Sequence, residues 1–313
     1  MTPFAPLVLE FTVEKPCNGI RIDSFLGRHL RNYTPYRLQR MIRAGLASRD
    51  GGRIDLETRV FAGDQVSIRL TEPPDKLLEP EPAALDILFE DSWLIVVNKP
   101  AGRVVHPVGE FQTGTLANAV QWHLDRQTKF KGLLRPGIVH RLDRMTSGAM
   151  VLAKEHVSHT DLSIQFQRGR VRKAYLAVLE GSLIEDRGEI NLPIGHAASR
   201  ETVLMSAAPD ARKPKPARTR YEVARRFRRR TLVRAWPMTG RIHQIRVHFA
   251  AVGHPVVGDE FYEAGGGIKP PGTGRNERHA LHATLLSFRH PITREPMSFQ
   301  APLPDDMRQA CLD

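Results

Sequence analysis

The chain has 313 residues, of which 41% are hydrophobic, so its composition excludes a disordered chain and allows more than one domain. Its 46 lysines and arginines exceed its 34 acidic residues, for a formal charge of +12, and this arginine-rich excess favours nucleic acid as the partner over an anionic membrane surface. No apolar run is long enough to span a membrane and no signal-peptide pattern is present, so we expect a cytoplasmic protein.

The distribution of cysteine and histidine gives no indication of a metal centre. Cys17 and Cys311 lie near opposite ends of the sequence and match neither a disulfide framework nor metal-ligand spacing. The 13 histidines include no His-Glu-x-x-His pattern. We therefore expect neither a metal nor a cofactor.

The first 70 residues predict a small unit of two helices and short strands. Alternating apolar residues at 7–14 predict a strand, and apolar spacing over 22–30 predicts a helix. Thr34 and Pro35 are an N-cap and first-turn proline for a second helix that ends at Gly45. On that helix, Arg37, Arg40 and Arg43 would share one exposed side. They could clamp a phosphate backbone, or the helix could simply be basic and solvated.

A proline-rich stretch separates this unit from the rest of the chain. Residues 71–84 contain four prolines among acidic residues, a composition typical of extended chain. We therefore predict a first domain at 1–75, a linker at 76–84 and a second domain at 85–313.

The second domain is predicted to be α+β. Strand patterns occur at 85–89, 94–97, 173–178, 221–227, 282–288 and 297–299, and helical patterns occur at 115–124 and 162–167. Turns rather than regular crossover helices connect the strands, which argues against a doubly wound sheet. The basic segment 212–230 either lies along phosphates or is a solvated edge strand whose arginines discourage aggregation.

A polar loop between two apolar runs, within residues 137–154, is the first candidate site. It carries His140, Arg141, Asp143, Thr146 and Ser147 and closes on a glycine. Strands on both sides would position the loop rigidly, and Asp143, its single carboxylate, lies between two arginines in sequence, which favours the ionised form. A capping residue or an ordinary ion pair is the alternative reading of an aspartate in a basic loop.

A second candidate lies at residues 239–253. Ile242, Ile245, Phe249 and Val252 predict a helix that stops at Gly253, with Arg246 near its beginning. Two arginines, two histidines and a glutamine within eight residues give more polarity than a packing helix needs.

The order of these motifs resembles that of the RluA-type RNA pseudouridine synthases. The similarity rests on separated segments in the family's order, and residues 20–70 resemble the alpha-L RNA-binding domain of a small-subunit ribosomal protein. The catalytic-domain segments are Asn98-Lys99-Pro100-Ala101-Gly102, Val105-His106-Pro107, His140-Arg141-Leu142-Asp143-x-x-Thr146-Ser147-Gly148, Tyr175-Leu176-Ala177, Gly240-Arg241-x-His243-Gln244-Ile245-Arg246-x-His248, Leu281-His282-Ala283 and Phe299-x-Ala301-Pro302.

This resemblance implies a mixed, largely antiparallel sheet with a central cleft, and a cofactor-free isomerase that acts on RNA. It implies that Asp143 is the essential carboxylate, that Arg246 pairs with it, and that Tyr175 stacks on the uracil and relays a proton at the ribose. The resemblance implies large-subunit ribosomal RNA as the substrate, with transfer RNA as the alternative. The expected RNA contacts are His140, Arg141, Thr146, Ser147, Arg241, His243, Gln244, Arg37, Arg40 and Arg43.

One departure and two competing functions remain. Position 242 is isoleucine where the family usually has threonine or serine as a helix cap, and Thr239 is the candidate to replace part of that cap. A non-catalytic RNA-binding or ribosome-assembly protein would explain the charge but not the presence of Asp143, Tyr175 and Arg246 together. A glycosidase-like hydrolase would usually need a second carboxylate.

Overall fold

Residues 7–70 form one antiparallel sheet with two helices in the computed structural model, which describes residues 6–74, 78–128, 132–198, 204–270 and 278–311. The strand order is β1-β4-β2-β3. The elements are β1 (Leu7–Thr12), α1 (Ile22–His29), α2 (Pro35–Arg43), β2 (Ala47–Arg49), β3 (Gly52–Arg53) and β4 (Gln65–Leu70). A short 3-10 turn, Lys15–Cys17, connects β1 towards α1.

Helix α2 begins and ends where the sequence predicts. The Thr34 hydroxyl accepts a hydrogen bond from the Arg37 backbone N–H at 3.4 Å, and Pro35 occupies the first turn. Gly45 then adopts a left-handed conformation, with φ +71°, just beyond the helix. The apolar faces of both helices pack against β4 and form a separate hydrophobic core. The arginines of α2 therefore point away from this core.

The rest of the described chain is built on a second, ten-stranded sheet with helices packed around it. Three further strands form a small separate sheet. The strands are β5 (Ile87–Glu90), β6 (Leu94–Lys99), β7 (Gly137–Ile138), β8 (Ser147–Ala153), β9 (Arg172–Glu180), β10 (Arg187–Ile190), β11 (Ile194–His196), β12 (Met205–Ser206), β13 (Arg212–Lys215), β14 (Thr219–Arg226), β15 (Arg230–Pro237), β16 (Leu281–Arg289) and β17 (Pro296–Gln300). The helices are α3 (Leu116–Asp125), α4 (His156–Gln167), α5 (Gln244–Ala251) and α6 (Asp305–Gln309).

The large sheet runs β10-β14-β15-β9-β16-β8-β6-β5, with β7 paired to β8 and β17 paired to β16. Within the described residues, β16 and β8 are its one parallel pair, and every other pairing is antiparallel. The prediction of an α+β fold on a mixed, largely antiparallel sheet is therefore confirmed. All seven residues of β8 are buried, so the strand that follows the Asp143 loop crosses the middle of the domain.

The parallel pair β8–β16 depends on a glycine. Gly148 has φ +123°, and a Cβ atom at this position would lie 2.2 Å from the Ala283 carbonyl oxygen. The absence of a side chain therefore lets the two backbones approach each other where the polar loop enters the sheet. This contact gives a structural reason for the glycine that closes the loop motif.

The first unit contacts the second through buried polar groups. The Asn32 side chain donates a hydrogen bond to the Gly132 carbonyl at 2.7 Å, and Leu133 packs against the core of the first unit. The separate sheets and cores are consistent with the predicted domain limits, which stay a prediction, and positions 76 and 77 of the linker lie outside the described residues. Among the helices that the structure describes, none has the length and apolar character needed to cross a bilayer.

Candidate active site

The loop between β7 and β8 brings Asp143 to the surface of a cleft. A backbone hydrogen bond of 3.1 Å from the Thr146 N–H to the Asp143 carbonyl closes the turn after the aspartate. The buried Thr146 hydroxyl is 2.7 Å from His279 Nε2, and the Ser147 hydroxyl is 2.8 Å from His282 Nδ1. These contacts fasten the loop to the segment that leads into β16, so the Asp143 side chain is held by rigid backbone.

Lys99, at the end of β6, also holds the loop that carries Asp143. Its buried ammonium donates hydrogen bonds to the carbonyl oxygens of Pro100, Arg103 and Arg144, at 2.8, 2.9 and 3.0 Å. Burial lowers the pKa of Lys99 to about 7, against the opposing effect of the Asp143 charge. Sequence analysis placed Lys99 in a family motif without a role, and the structure shows that it joins two loops next to the carboxylate.

Arg246 pairs with Asp143, as the resemblance implied. Its Nη1 donates to Asp143 Oδ2 at 3.1 Å, while Nε and Nη2 donate to Asp259 at 2.7 and 2.8 Å. The Arg246 side chain is 2% exposed and the Asp259 side chain is completely buried, whereas Asp143 is 21% exposed. The buried carboxylate of Asp259 therefore fixes the guanidinium, which donates one hydrogen bond from Nη1 to Asp143 at the cleft.

Burial alone would lower the pKa of Arg246, but the hydrogen bonds and charge of Asp259, together with the charge of Asp143, raise it. The guanidinium also lies over the rings of Phe261 and Tyr262, 5.3 and 5.2 Å from their centroids. Arg246 is thus a permanent buried cation. Asp259, the buried partner of Arg246, was not predicted from the sequence, because it lies outside the two candidate motifs.

The helix that carries Arg246 begins later than predicted. Helix α5 starts at Gln244, because His243 adopts a left-handed conformation with φ +54°, and Ile242 lies before the helix at 40% exposure. The expectation that Thr239 caps this helix is wrong. Its hydroxyl accepts from the Arg218 N–H and donates to Gln244 Oε1 at 2.6 Å, so it fixes the side chain of the first helical residue instead of its backbone.

The Gln244 side chain fixes the segment that precedes α5. Its amide nitrogen donates to the Arg218 carbonyl and the Thr219 hydroxyl, and its amide oxygen also accepts the Arg241 N–H. Every one of these contacts is within the protein, and the residue is 4% exposed. Gln244 therefore connects the start of β14 to α5, and the RNA contact expected of it stays a prediction.

His243 stands on the other side of Asp143. Its Nε2 is 4.0 Å from Asp143 Oδ1, and its Nδ1 is 2.7 Å from the Tyr262 hydroxyl. Burial lowers the pKa of His243, with the Asp143 charge opposing this effect. The strained backbone at this residue aims its ring into the cleft, where a neutral imidazole can exchange a hydrogen bond with a ligand.

Tyr175, on β9, lines the same cleft. Its backbone pairs with Ala235 of β15 and Ala283 of β16, which places it at the centre of the large sheet. Burial and then the Asp143 charge raise the pKa of its hydroxyl, so the phenol stays protonated at neutral pH. Asp143, Tyr175 and Arg246 come from three distant parts of the sequence and meet at one cavity.

The cleft is lined by most, but not all, of the site residues predicted in the segments 137–154 and 239–253. Its lining comprises Arg141, Leu142, Asp143, Thr146, Lys173, Tyr175, Pro237, Thr239, Gly240, Arg241, Ile242, His243, Gln244, Ile245, Arg246 and Leu281. Among these, Asp143 and His243 alone carry side chains that commonly ligate metals, and Asp143 is already engaged by Arg246. This lining suits a planar polar ligand held between apolar and cationic groups.

Other predicted RNA contacts lie elsewhere. The His140 ring stacks on Phe166 with centroids 4.4 Å apart, and its Nε2 accepts the Val151 N–H at 3.1 Å. Burial lowers the pKa of His140 to about 3, so the ring is neutral. Ser147 is also buried. Their described contacts hold the loop and the sheet together, and the RNA contacts expected of them stay predictions. The three arginines of α2 lie on the other unit, where Arg37 and Arg40 both pair with Glu72 and Arg43 is exposed.

Comparison with known proteins decides the family. A family model described as RNA pseudouridylate synthase matches residues 93–251, a range that contains Asp143, Tyr175 and Arg246. The chain belongs to the RNA pseudouridylate synthase family. It is therefore an isomerase that converts uridine in RNA to pseudouridine, and the RluA-type resemblance is confirmed.

Individual relatives of this pseudouridine synthase cover nearly the whole chain. The protein YlyB of Bacillus subtilis (strain 168), named an uncharacterized RNA pseudouridine synthase, is 36% identical over 96% of both chains. The ribosomal large subunit pseudouridine synthase D of Nitrosomonas europaea is 37% identical over 96% of this chain and 86% of its own. The solved structure of human RNA Pseudouridylate Synthase Domain Containing 1 aligns with a TM-score of 0.57 at 28% identity, covering 74% of this chain and 90% of the human one.

Proposed function

We propose that this pseudouridine synthase modifies uridines in large-subunit ribosomal RNA, with Asp143 as its catalytic carboxylate. The observation that carries the catalytic role is the ionic chain Asp143–Arg246–Asp259, which directs one carboxylate into the cleft. The substrate class is supported by the names of several relatives that are 36–37% identical, each a ribosomal large subunit pseudouridine synthase D.

The reaction exchanges one glycosidic bond for another. The bond from ribose C1′ to uracil N1 breaks, the base turns, and a bond from C1′ to C5 forms. Overall, C5 loses a proton and N1 gains one, so the product is an isomer and the balance needs no oxidant. The enzyme must therefore stabilise charge on the separated ribose and base, hold the base during its rotation and accept the C5 proton.

Asp143 meets the first requirement. Its position at the mouth of the cleft lets an ionised carboxylate approach either the ribose or the base, as a covalent nucleophile or as a group that assists departure of the uracil. Arg246 donates a hydrogen bond to this carboxylate and limits rotation of its side chain. Because Asp259 neutralises Arg246 from the buried side, the cation stays in place when Asp143 engages the substrate.

The ring of Tyr175 offers a stacking surface for the uracil base. Its ring lies at the centre of the sheet, next to the Asp143 loop, and its phenol remains neutral. A neutral phenol can stack on uracil and donate a hydrogen bond, but it is a poor base at neutral pH. The C5 proton is therefore expected to leave to Asp143 or to water, with the Tyr175 hydroxyl as a proton relay at the ribose.

The arginines at the rim of the cleft are suited to contact the phosphates of RNA. Arg141 is exposed beside Asp143, and Arg241 lies across the opening with its Nε bonded to the Pro216 carbonyl at 3.0 Å. A uridine inside folded RNA has to leave its stack to reach Asp143, at a cost of a few kcal/mol that contacts with phosphate and stacking offset. The arginines of α2 and of the basic segment 212–230 are candidates for more distant phosphate contacts.

The test of the substrate is a transcriptome-wide map of pseudouridine in cells with and without this gene. We expect one or more large-subunit ribosomal RNA sites to disappear with the gene and to return with the wild-type copy. The sites should stay absent when the complementing copy carries Asp143→Asn. Loss confined to transfer RNA would instead support the alternative substrate. The proposal includes a cytoplasmic enzyme, since ribosomal RNA would be its substrate.

A further inference from the structure

Four side chains of types that commonly ligate metal ions lie together where the first unit contacts the second. Glu14 and Cys17 lie in the connection after β1, His29 is the last residue of α1, and His156 is the first residue of α4. The site is separate from the cleft, because none of these residues lines it. The histidine from α4 belongs to the catalytic part of the chain, so the cluster joins two separate sheets.

The distances within the cluster fit the ligands of a single small ion. Glu14 Oε1 is 3.0 Å from Cys17 Sγ and 3.5 Å from His156 Nε2, and the ligand atoms of these three residues all lie within 4.8 Å of one another. Tetrahedral zinc, with bonds of about 2.0–2.3 Å, separates its ligand atoms by about 3.3–3.6 Å. A cation can therefore be accommodated if the ligand atoms that lie farthest apart approach each other by up to about 1.2 Å.

A second observation also points to a ligand. The His29 side chain is 7% exposed, and its Nε2 lies 3.4 Å from Glu14 Oε2, so the two form an ion pair when the imidazole is protonated. Among the described residues, neither atom has a partner that meets the geometry of a hydrogen bond. A shared cation would give both buried atoms a closer partner.

The charges agree with such a site. A carboxylate, a thiolate and two neutral imidazoles carry a charge of −2, which a divalent ion neutralises. Arg28 donates a hydrogen bond to Cys17 Sγ at 3.2 Å, which favours the thiolate form.

We propose that Glu14, Cys17 and His156 bind a divalent transition-metal ion of the zinc class, with His29 as the nearest donor for a fourth position. The ion would fasten the first unit to α4 and so fix the RNA-binding surface relative to the cleft. The sequence did not predict this set of ligands, because Glu14 and Cys17 form only half of a ligand motif and His156 lies on a distant helix.

The test is the metal content of the untagged full-length protein. The protein is stripped with a chelator, loaded with Zn²⁺, desalted and assayed by mass spectrometry for zinc. We expect about one zinc per chain in the wild type and at least a tenfold loss of affinity in Cys17→Ser and in His156→Gln. Cys311→Ser and His159→Gln are matched controls, since each removes the same side chain outside the cluster, and both should keep the wild-type content.

A spectrum of the Co²⁺-loaded protein checks the ligand type. We expect a sulfur-to-cobalt charge-transfer band in the wild type and in Cys311→Ser, and its loss in Cys17→Ser. Circular dichroism establishes that each variant is folded, and His156→Gln decides the question if Cys17→Ser does not fold. A wild-type protein that retains no zinc, or a Cys17→Ser variant that retains as much as Cys311→Ser, would overturn the proposal.

Discussion

At the scale of single residues, the function depends on how one arginine is shared between two carboxylates. Arg246 gives two of its N–H groups to Asp259, which is fully buried, and one to Asp143 at the cleft. We therefore propose a structural role for the inner pair and a chemical role for the outer pair. This division predicts different consequences for two apparently similar aspartates.

Replacement of Asp259 by asparagine should destabilise the fold. The change leaves a buried guanidinium without its charged partner on the inner side, and breaking such a pair costs about 3–5 kcal/mol. We expect this loss in the free energy of unfolding measured by urea denaturation, together with reduced activity. Asp186→Asn, which disrupts a surface ion pair with Arg226, is the control and should cost less than about 1 kcal/mol. Equal losses in the two variants would show that Asp259 has no special structural role.

Tyr175 offers a test of stacking against proton transfer. If the ring mainly supports the uracil, Tyr175→Phe keeps the face and loses only the hydroxyl, whereas Tyr175→Leu loses both. We expect single-turnover rates to fall further in Tyr175→Leu than in Tyr175→Phe. A proton relay through the hydroxyl would add a loss of about 10²–10⁴ in Tyr175→Phe. Identical rates in both variants and the wild type would exclude Tyr175 from the reaction.

At the scale of elements, Gly148 fixes the approach of β8 to β16. A Cβ atom here would meet the Ala283 backbone oxygen at 2.2 Å, so Gly148→Ala must separate the strands that position the Asp143 loop. We expect it to reduce the yield of folded protein severely. Gly102→Ala is the control, since Gly102 has φ +84° but open space around it, and it should cost only about 1–2 kcal/mol from backbone strain. Thermal unfolding of both variants checks the difference.

Sequence patterns predicted elements well where a single periodicity applied. The alternation in 173–178 and 282–288 lies inside β9 and β16, and Thr34-Pro35 marked the start of α2. The start of α5 was misjudged because Ile242 continues the apolar spacing, whereas the chain only becomes helical after the left-handed His243. Spacing along the sequence does not contain that change of backbone conformation.

The candidate site was predicted in part for a similar reason. Asp143, Tyr175 and Arg246 were found because each lies in a recognisable motif. Asp259 and Lys99 were not assigned roles, since their importance lies in contacts with Arg246 and with the Arg144 carbonyl. A buried charge becomes informative only when its partner is known, and the partner of Asp259 is fixed by the packing of α5 against the following loop.

At the scale of the whole molecule, the basic charge is distributed over both units. Arg37 and Arg40 pair with Glu72 in the proline-rich stretch after the first sheet, whereas Arg43, the third predicted contact on α2, is exposed. The cleft has its own rim of arginines, including Arg141. An RNA long enough to touch both units would therefore release counterions from both surfaces.

Arg43→Gln tests the contribution of the first unit. We expect weaker binding of ribosomal RNA fragments and a reduction of about 1 in the slope of log K against log salt concentration, as for the loss of one phosphate contact. Activity on a short RNA that reaches only the cleft should be unchanged. Lys15→Gln serves as a control for the loss of one positive charge outside α2. A slope equal to that of the wild type would count against RNA binding through α2.

Asp143 is the residue on which the proposed isomerisation depends. The most direct measurement is tritium release from RNA labelled at uracil C5, since each pseudouridine formed expels that hydrogen. We predict release by the wild-type enzyme on large-subunit ribosomal RNA and none above background by Asp143→Asn, whose fold should persist because Asp259 still pairs with Arg246. Release by a folded Asp143→Asn protein at the wild-type rate would show that Asp143 is not the catalytic carboxylate.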